Sequence, residues 1–80
     1  TLNAEKQIIQ AQIYEDVREL INELPEEQKE VLIMRMYKDM SFKEISENTG
    51  VSINTALGRM RYALINMRKL IEKHKIILVN

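Results

Sequence analysis

The sequence predicts a small all-α domain of four helices, the last two joined as a helix-turn-helix. Three observations carry that expectation. Only two Gly and one Pro occur in 80 residues, with no Gly- or Ser-rich linker, so secondary structure is dense. Apolar residues recur at spacings of three and four along most of the chain. Gly50 also sits two residues before Ser52, where one helix should end and another begin.

Each element follows from its own residues. Ile9, Ile13, Val17, Leu20 and Leu24 form one stripe of a first helix over 3–23. Pro25 suits the first position of a second helix, 26–38, whose opening turns carry Glu26, Glu27 and Glu30, a solvated run matched to the helix dipole. Val31, Leu32, Ile33, Met34, Met36 and Tyr37 make that helix apolar nearly all round, which predicts it to be the central, most buried one. Ser41 and Glu44 have the spacing of a capping box and start a third helix, 42–48. A turn at Thr49 to Val51 leads to the fourth, 53–73, with Ala56, Met60, Ala63, Leu64, Met67, Leu70 and Ile71 as its apolar face. Asn54, Gly58, Arg61 and Tyr62 lie opposite. The tail, 74–80, ends in the apolar run Ile76 to Val79, which could extend the fourth helix, pack back on the first, or pair with a partner. The whole chain, 1–80, reads as one domain; opening on Thr1, it is expected to be the C-terminal part of a longer protein.

Size and composition remove several function classes. A chain of this length buries only about 60 to 65% of the surface its unfolded form exposes, too little for a (β/α)₈ barrel or a two-half dinucleotide-binding sheet. Without cysteine there is no disulfide scaffold, four-cysteine zinc site or thiol nucleophile. The longest apolar runs are four residues, against roughly 18 for a membrane span, so no membrane insertion is expected. No phosphate loop, nucleophile–base pair or carboxylate pair stands out, so neither an enzyme nor a cofactor or metal site is expected. His74 has no second ligand at metal spacing and reads as solvated. The five Met read as core filler, Tyr37 as core and Tyr14 as half-buried; Tyr62 either packs beside Arg59 or meets a phosphate.

Twelve Lys and Arg cancel twelve Asp and Glu, yet the charge is divided along the chain. Residues 1–30 hold three basic and eight acidic groups, a net −5, and residues 51–80 hold six and one, a net +5. The basic groups are Arg59, Arg61, Arg68, Lys69, Lys73 and Lys75, all on the fourth helix and its tail. Two helices about a short Gly turn, the second longer and basic, describe a helix-turn-helix; plain helical hairpins also use Gly turns, and the basic second helix favours a DNA-binding unit over them. Ile45, Val51 and Ala56 would be its apolar pins, Ser46 the small residue at the helix crossing, and Gly50 the residue with positive φ.

The run from Leu24 to Ile71, 48 of 80 residues, resembles the fourth, C-terminal domain of bacterial RNA polymerase sigma factors of the extracytoplasmic-function type. The matching residues are Leu24-Pro25, Gln28, Val31 to Arg35, Ser41, Glu44 to Ser46, Gly50 to Ser52, Thr55, Arg59 to Ala63 and Met67-Arg68. The resemblance implies a cytoplasmic domain that docks on the flap of RNA polymerase core and places its fourth helix in the major groove of the upstream (minus 35) element of double-stranded promoter DNA. An anti-sigma factor is a further partner it implies. Ile53, Asn54, Leu57, Gly58 and Arg61 are then expected on the base-reading face, with Asn54 and Arg61 as hydrogen-bonding readers. Ser41, Lys43, Ser52, Thr55 and Arg59 are expected on phosphates.

The family commonly has Lys at Leu57, Ser at Gly58 and a basic residue at Tyr62, so this face is less polar and less basic. Two other functions fit the same residues. One is the output domain of a two-component or quorum-type regulator, against which Leu24-Pro25 and the Arg59-x-Arg61 pair speak. The other is a sigma-like interaction module that no longer reads DNA, to which Leu57, Gly58 and Ile76 to Val79 point; an exposed tail would also let the isolated domain form a homodimer.

Overall fold

A computed structural model describes the chain over residues 2–76, with four helices and no strand among the described residues. They are α1 (Leu2–Ile21), α2 (Glu26–Met36), α3 (Phe42–Thr49) and α4 (Ile53–Lys73).

α1 ends where three successive amides, on Asn22, Glu23 and Leu24, each bond the carbonyl three residues back, tightening the last turn. Pro25 then stands at the N-cap of α2, one place before the first helical residue, with φ −54° and ψ 146°. Its carbonyl accepts from the amides of Gln28 and Lys29. α2 stops at Met36, two residues short of the predicted end, because the chain bends back on itself there. The Met40 amide donates to the Met34 carbonyl, Asp39 adopts a left-handed φ of 56°, and Arg35 Nη1 donates to the Met40 carbonyl at 2.9 Å. The Arg35 guanidinium also lies 5.2 Å from the centre of the Phe42 ring, tying the end of α2 to the start of α3.

The core joins Leu20, Ile21 and Leu24 with Val31 and Leu32, Ile45, and the α4 stripe Ala56, Met60, Ala63 and Met67. α4 contributes four of these buried residues and α2 only two, so α4, not α2, is the central helix. The 11-residue α2 packs on α4 and α3 and ends at Met36, so its last turn is left uncovered: Met36 is 63% exposed and Tyr37 50% exposed, contrary to the expectation for both. Tyr37 instead has the Arg18 guanidinium 5.8 Å from its ring centre. Of the five Met, Met60 and Met67 are buried, Met34 and Met40 half-buried, and Met36 outside.

Two further expectations are corrected. The first turns of α1 run past the other helices, so Ile9 is exposed and Tyr14 is 73% exposed. This projection matches an outline of 48 × 24 × 16 Å. On α4 the buried stripe follows Ala56, Met60, Ala63 and Met67, and Leu64, one step of about 100° from Ala63, is exposed beside Ile65.

α4 closes in a left-handed turn. The Ile76 amide donates to the Ile71 carbonyl and the Lys75 amide to Glu72, with Lys75 at φ 54°, the pattern of a Schellman cap. Ile76 thereby packs back on the core; the rest of the predicted apolar tail, residues 77–80, lies outside the described residues. His74 is not simply solvated. Its Nε2 lies 3.1 Å from Glu23 Oε2, because the end of α4 returns beside the α1–α2 turn.

Candidate nucleic-acid interface

The helix-turn-helix is built by local hydrogen bonds. Ser41 Oγ accepts from the Glu44 amide and Glu44 Oε1 accepts from the Ser41 amide, both at 3.1 Å, so the capping box that starts α3 is complete. Gly50 caps α3 at φ 73°, its amide donating to the Ser46 carbonyl. The turn is pinned by the Ser46 hydroxyl, which donates to the Val51 carbonyl, and by Thr49 Oγ1, which donates to the Ile45 carbonyl at 2.7 Å. Ile45 and Ala56 are fully buried under it and Val51 half-buried, as their role as pins requires. Ser52 Oγ accepts from the Thr55 amide and starts α4 at Ile53.

This frame presents the predicted reading residues together. Ile53, Asn54, Leu57 and Arg61 are exposed and Gly58 half-buried; Asn54, Leu57, Gly58 and Arg61 fall on one side of α4, turned from Ala56, Met60 and Ala63, and Ile53 is exposed at the start of the helix. Leu57, at 41% exposure, belongs to this outer surface and not to the edge of the core. Tyr62 stands exposed on the flank. A Cβ placed on Gly58 would meet nothing within 4 Å, so packing inside the domain does not require glycine there. Gly58→Ala is therefore expected to stabilise the domain by about 1 kcal/mol, read as a raised urea midpoint. A midpoint unchanged or lowered would show a constraint within the fold.

The predicted phosphate ligands divide into two groups. Ser41 and Lys43 stand exposed at the start of α3; Ser52 and Thr55 stand exposed at the start of α4, with Arg59 half-buried one turn on. The Ser52 hydroxyl donates to Thr55 Oγ1 at 2.9 Å, so the two hydroxyls stand joined at the start of α4. The helix starts also differ in charge. α4 has no acidic residue in its first turn, whereas α3 carries Glu44, which competes with any anion for the same dipole.

The Ser41 amide first, and its hydroxyl second, hold the Glu44 carboxyl below its ordinary value of 4.5. A depressed folded value means that the box contributes fully above pH 4.5 and loses its contribution as pH falls through the lowered value. Glu44→Gln should thus remove part of the acid sensitivity seen in urea midpoints between pH 6 and pH 3, in the range typical of linked carboxylates of about pH 5 and below. Parallel profiles for the two proteins would contradict this.

Three features escaped sequence reasoning. The side-chain amide of Asn66 donates to Gln28 Oε1 at 2.7 Å across α4 and α2, and no spacing rule links residues so far apart. The Glu23–His74 pair is likewise tertiary. Beyond Arg61, the outer side of α4 continues as a shallow hollow of about 450 Å³ lined by Leu64, Ile65, Arg68, Lys69 and Glu72. Its signal in the sequence is the recurrence of these residues at three and four from Arg61, misread because Leu64 was placed inside.

Among the described residues no helix is long and apolar enough to cross a membrane. Residues 14–64 match the family model described as Sigma-70, region 4, a stretch that takes in α2, α3 and the outer face of α4 as far as Leu64. Over 53 residues the chain is 40% identical to the RNA polymerase sigma factor SigV of Bacillus subtilis (strain 168), a match covering 66% of this chain and 32% of the relative. The chain thus spans about a third of the length of that relative. No solved structure matches. With the family model covering well over half of its length and the helix-turn-helix falling inside the match, the chain belongs to the Sigma-70 region 4 family.

Proposed function

We propose that this chain is the promoter-reading domain of a sigma factor of the extracytoplasmic-function type, which recognises the minus 35 element while bound to RNA polymerase core through the flap. The observation that carries this reading is the outward stripe Ile53, Asn54, Leu57, Gly58 and Arg61 on a helix pinned at its start by Ser46, Gly50 and Ser52. The first turns of such a helix enter the major groove, where Arg pairs with guanine and Asn with adenine through two hydrogen bonds each. Leu57 and Ile53 offer apolar surface to thymine methyl groups, and the open side of Gly58 lets the backbone come close. Thr55, Ser52, Arg59, Ser41 and Lys43 hold the flanking phosphates. The charge division supports this: α4 and its tail carry the positive end, and residues 1–30, α1 with the start of α2, the negative end.

Titrating a fluorescent promoter-like duplex at several salt concentrations tests the reading. Phosphate contacts by about four of the six cations Arg59, Arg61, Arg68, Lys69, Lys73 and Lys75 give a log–log slope of roughly −3 to −4. Absence of duplex binding at low salt, with binding to the polymerase flap retained, would overturn it in favour of a protein-interaction module. That second reading has its own observation in the exposed Leu64 and Ile65.

A further inference from the structure

We propose that Gln28 and Asn66 are a positioning pair: their hydrogen bond sets the rotation and register of α4 on α2, and so decides which atoms of the outer stripe reach the bases. The proposal rests on the DNA-reading function above and adds to it two residues that touch no base.

The packing of α4 on its neighbours is permissive. Its buried stripe is Ala56, Met60, Ala63 and Met67, two methyl groups and two unbranched thioethers, and among the described residues the core contains no buried polar or charged side chain. Apolar burial favours contact but not direction. Methionine in particular refills whatever gap a small shift leaves. Such an interface resists separation far more than it resists turning. A turn of about 20° would move a side-chain atom roughly 6 Å from the helix axis by about 2 Å. A base-edge hydrogen bond does not survive that displacement.

Directional ties must therefore fix the helix. At its start, α4 is bound to α3 through Ser46, Gly50 and Ser52, and α3 is tied to the end of α2 through Arg35, Met40 and Phe42; these ties gather at one end of the α2–α4 contact and act on α4 only through the turn. At its end the Glu23–His74 pair is more than two-fifths exposed on each side, a class of contact that holds position weakly. Between these ends, among the described residues, the bond from Asn66 Nδ2 to Gln28 Oε1 is the one side-chain hydrogen bond that joins two helices. It is short, at 2.7 Å, partly buried, and links residues 38 apart in sequence. Gln28 is itself held, its amide bonding the Pro25 carbonyl in the first turn of α2. Asn66 lies five residues beyond Arg61 on the same helix, so its orientation is transmitted rigidly to the reader. A single polar pair that selects one register of an otherwise apolar helix interface is a well-attested use of such groups.

The test uses the 80-residue chain and exchanges the two amides. Gln28→Asn makes the pair one methylene too short, Asn66→Gln one too long, and the double exchange restores the summed length. Two quantities are read for each protein. The first, without DNA, is the spread of distances between spin labels on exposed positions of α2 and α4. The second is the ratio of affinities for the tightest duplex that the unsubstituted chain selects from a random pool and for a mixed-sequence duplex. Each single exchange is expected to broaden the distances and lower the ratio about tenfold, the scale of one lost base contact, with the salt slope unchanged. The double exchange is expected to recover both to within about threefold. Single exchanges that lower the urea midpoint but leave distances and ratio as they were would reduce the pair to a stabilising contact and overturn the proposal. Should the unsubstituted chain show no sequence preference, the DNA-reading function fails instead, and the distance spread alone decides whether the pair positions α4.

Discussion

Replacing Ile45 by alanine is expected to cost the domain about 3 kcal/mol, within the range for removing a buried branched side chain. Ile45 has no exposed surface and sits in the middle of α3, where the turn, α2 and α4 meet over it. Nothing near it can collapse cheaply, because Ser46 and Thr49, which follow it on α3, are held by their own hydrogen bonds to Val51 and to the Ile45 carbonyl. A chain of 80 residues has a total stability of only about 5 to 10 kcal/mol, so this one change consumes a large part of it. With a urea dependence near 1 kcal/mol per molar for a domain this small, the midpoint followed by circular dichroism should fall by about 3 M. Leu57→Ala, on the exposed side, should move it by less than about 0.5 M. A fall of under 1 M for Ile45→Ala would mean that the turn does not depend on its apolar pin.

The second large effect is on binding. Arg61→Ala should weaken the preferred duplex by about 1 to 3 kcal/mol, roughly five- to 150-fold, and relax preference at one base pair. Asn54→Ala should do the same at a neighbouring pair, since both side chains stand exposed on one side of α4. Arg59→Ala should behave differently. Half-buried on the flank and assigned to a phosphate, it should weaken all sequences alike and reduce the salt slope by about 1. Competition titrations against preferred and mixed duplexes separate the two patterns. A uniform loss for Asn54→Ala would remove it from the base readers.

Much of the fold was legible because its signals are local. Ser41 with Glu44, Gly50, and Ser52 each satisfy backbone groups within a few residues, and the structure starts α3 at Phe42 and spans α4 from Ile53 to Lys73 as those signals require. The candidate site was legible for the same reason. Once the first residue of α4 is known, the helical repeat puts Asn54, Leu57, Gly58 and Arg61 on one side and Ala56, Met60 and Ala63 on the other, whereas Ile53, seven residues before Met60, is exposed as the first residue of the helix. The recognised family run, Leu24 to Ile71, overlaps the matched stretch 14–64 through α3, the turn and α4 as far as Leu64.

Burial was legible only where helices are covered along their whole length. Tyr14 and Ile9 carry the right spacing, but no neighbour reaches the first turns of α1; Met36 and Tyr37 are apolar, but α2 ends there. Hydropathy states what a residue would gain from being covered, whereas the lengths and crossing of the other helices decide whether anything covers it. Partners distant in sequence were invisible for a related reason. Gln28 with Asn66, and Glu23 with His74, meet because α4 runs back across α2 to the α1–α2 turn, and no periodicity encodes that return. By itself, then, the sequence determined the helices, their caps and the composition of the outer face of α4, all of which depend on interactions within about five residues. Only the tertiary structure decided that α4 is the central helix, which apolar groups stay in water, and which distant side chains pair, as Asn66 does with Gln28. Those outcomes depend on where whole helices lie against one another, and non-directional apolar packing leaves that choice to a few long-range contacts.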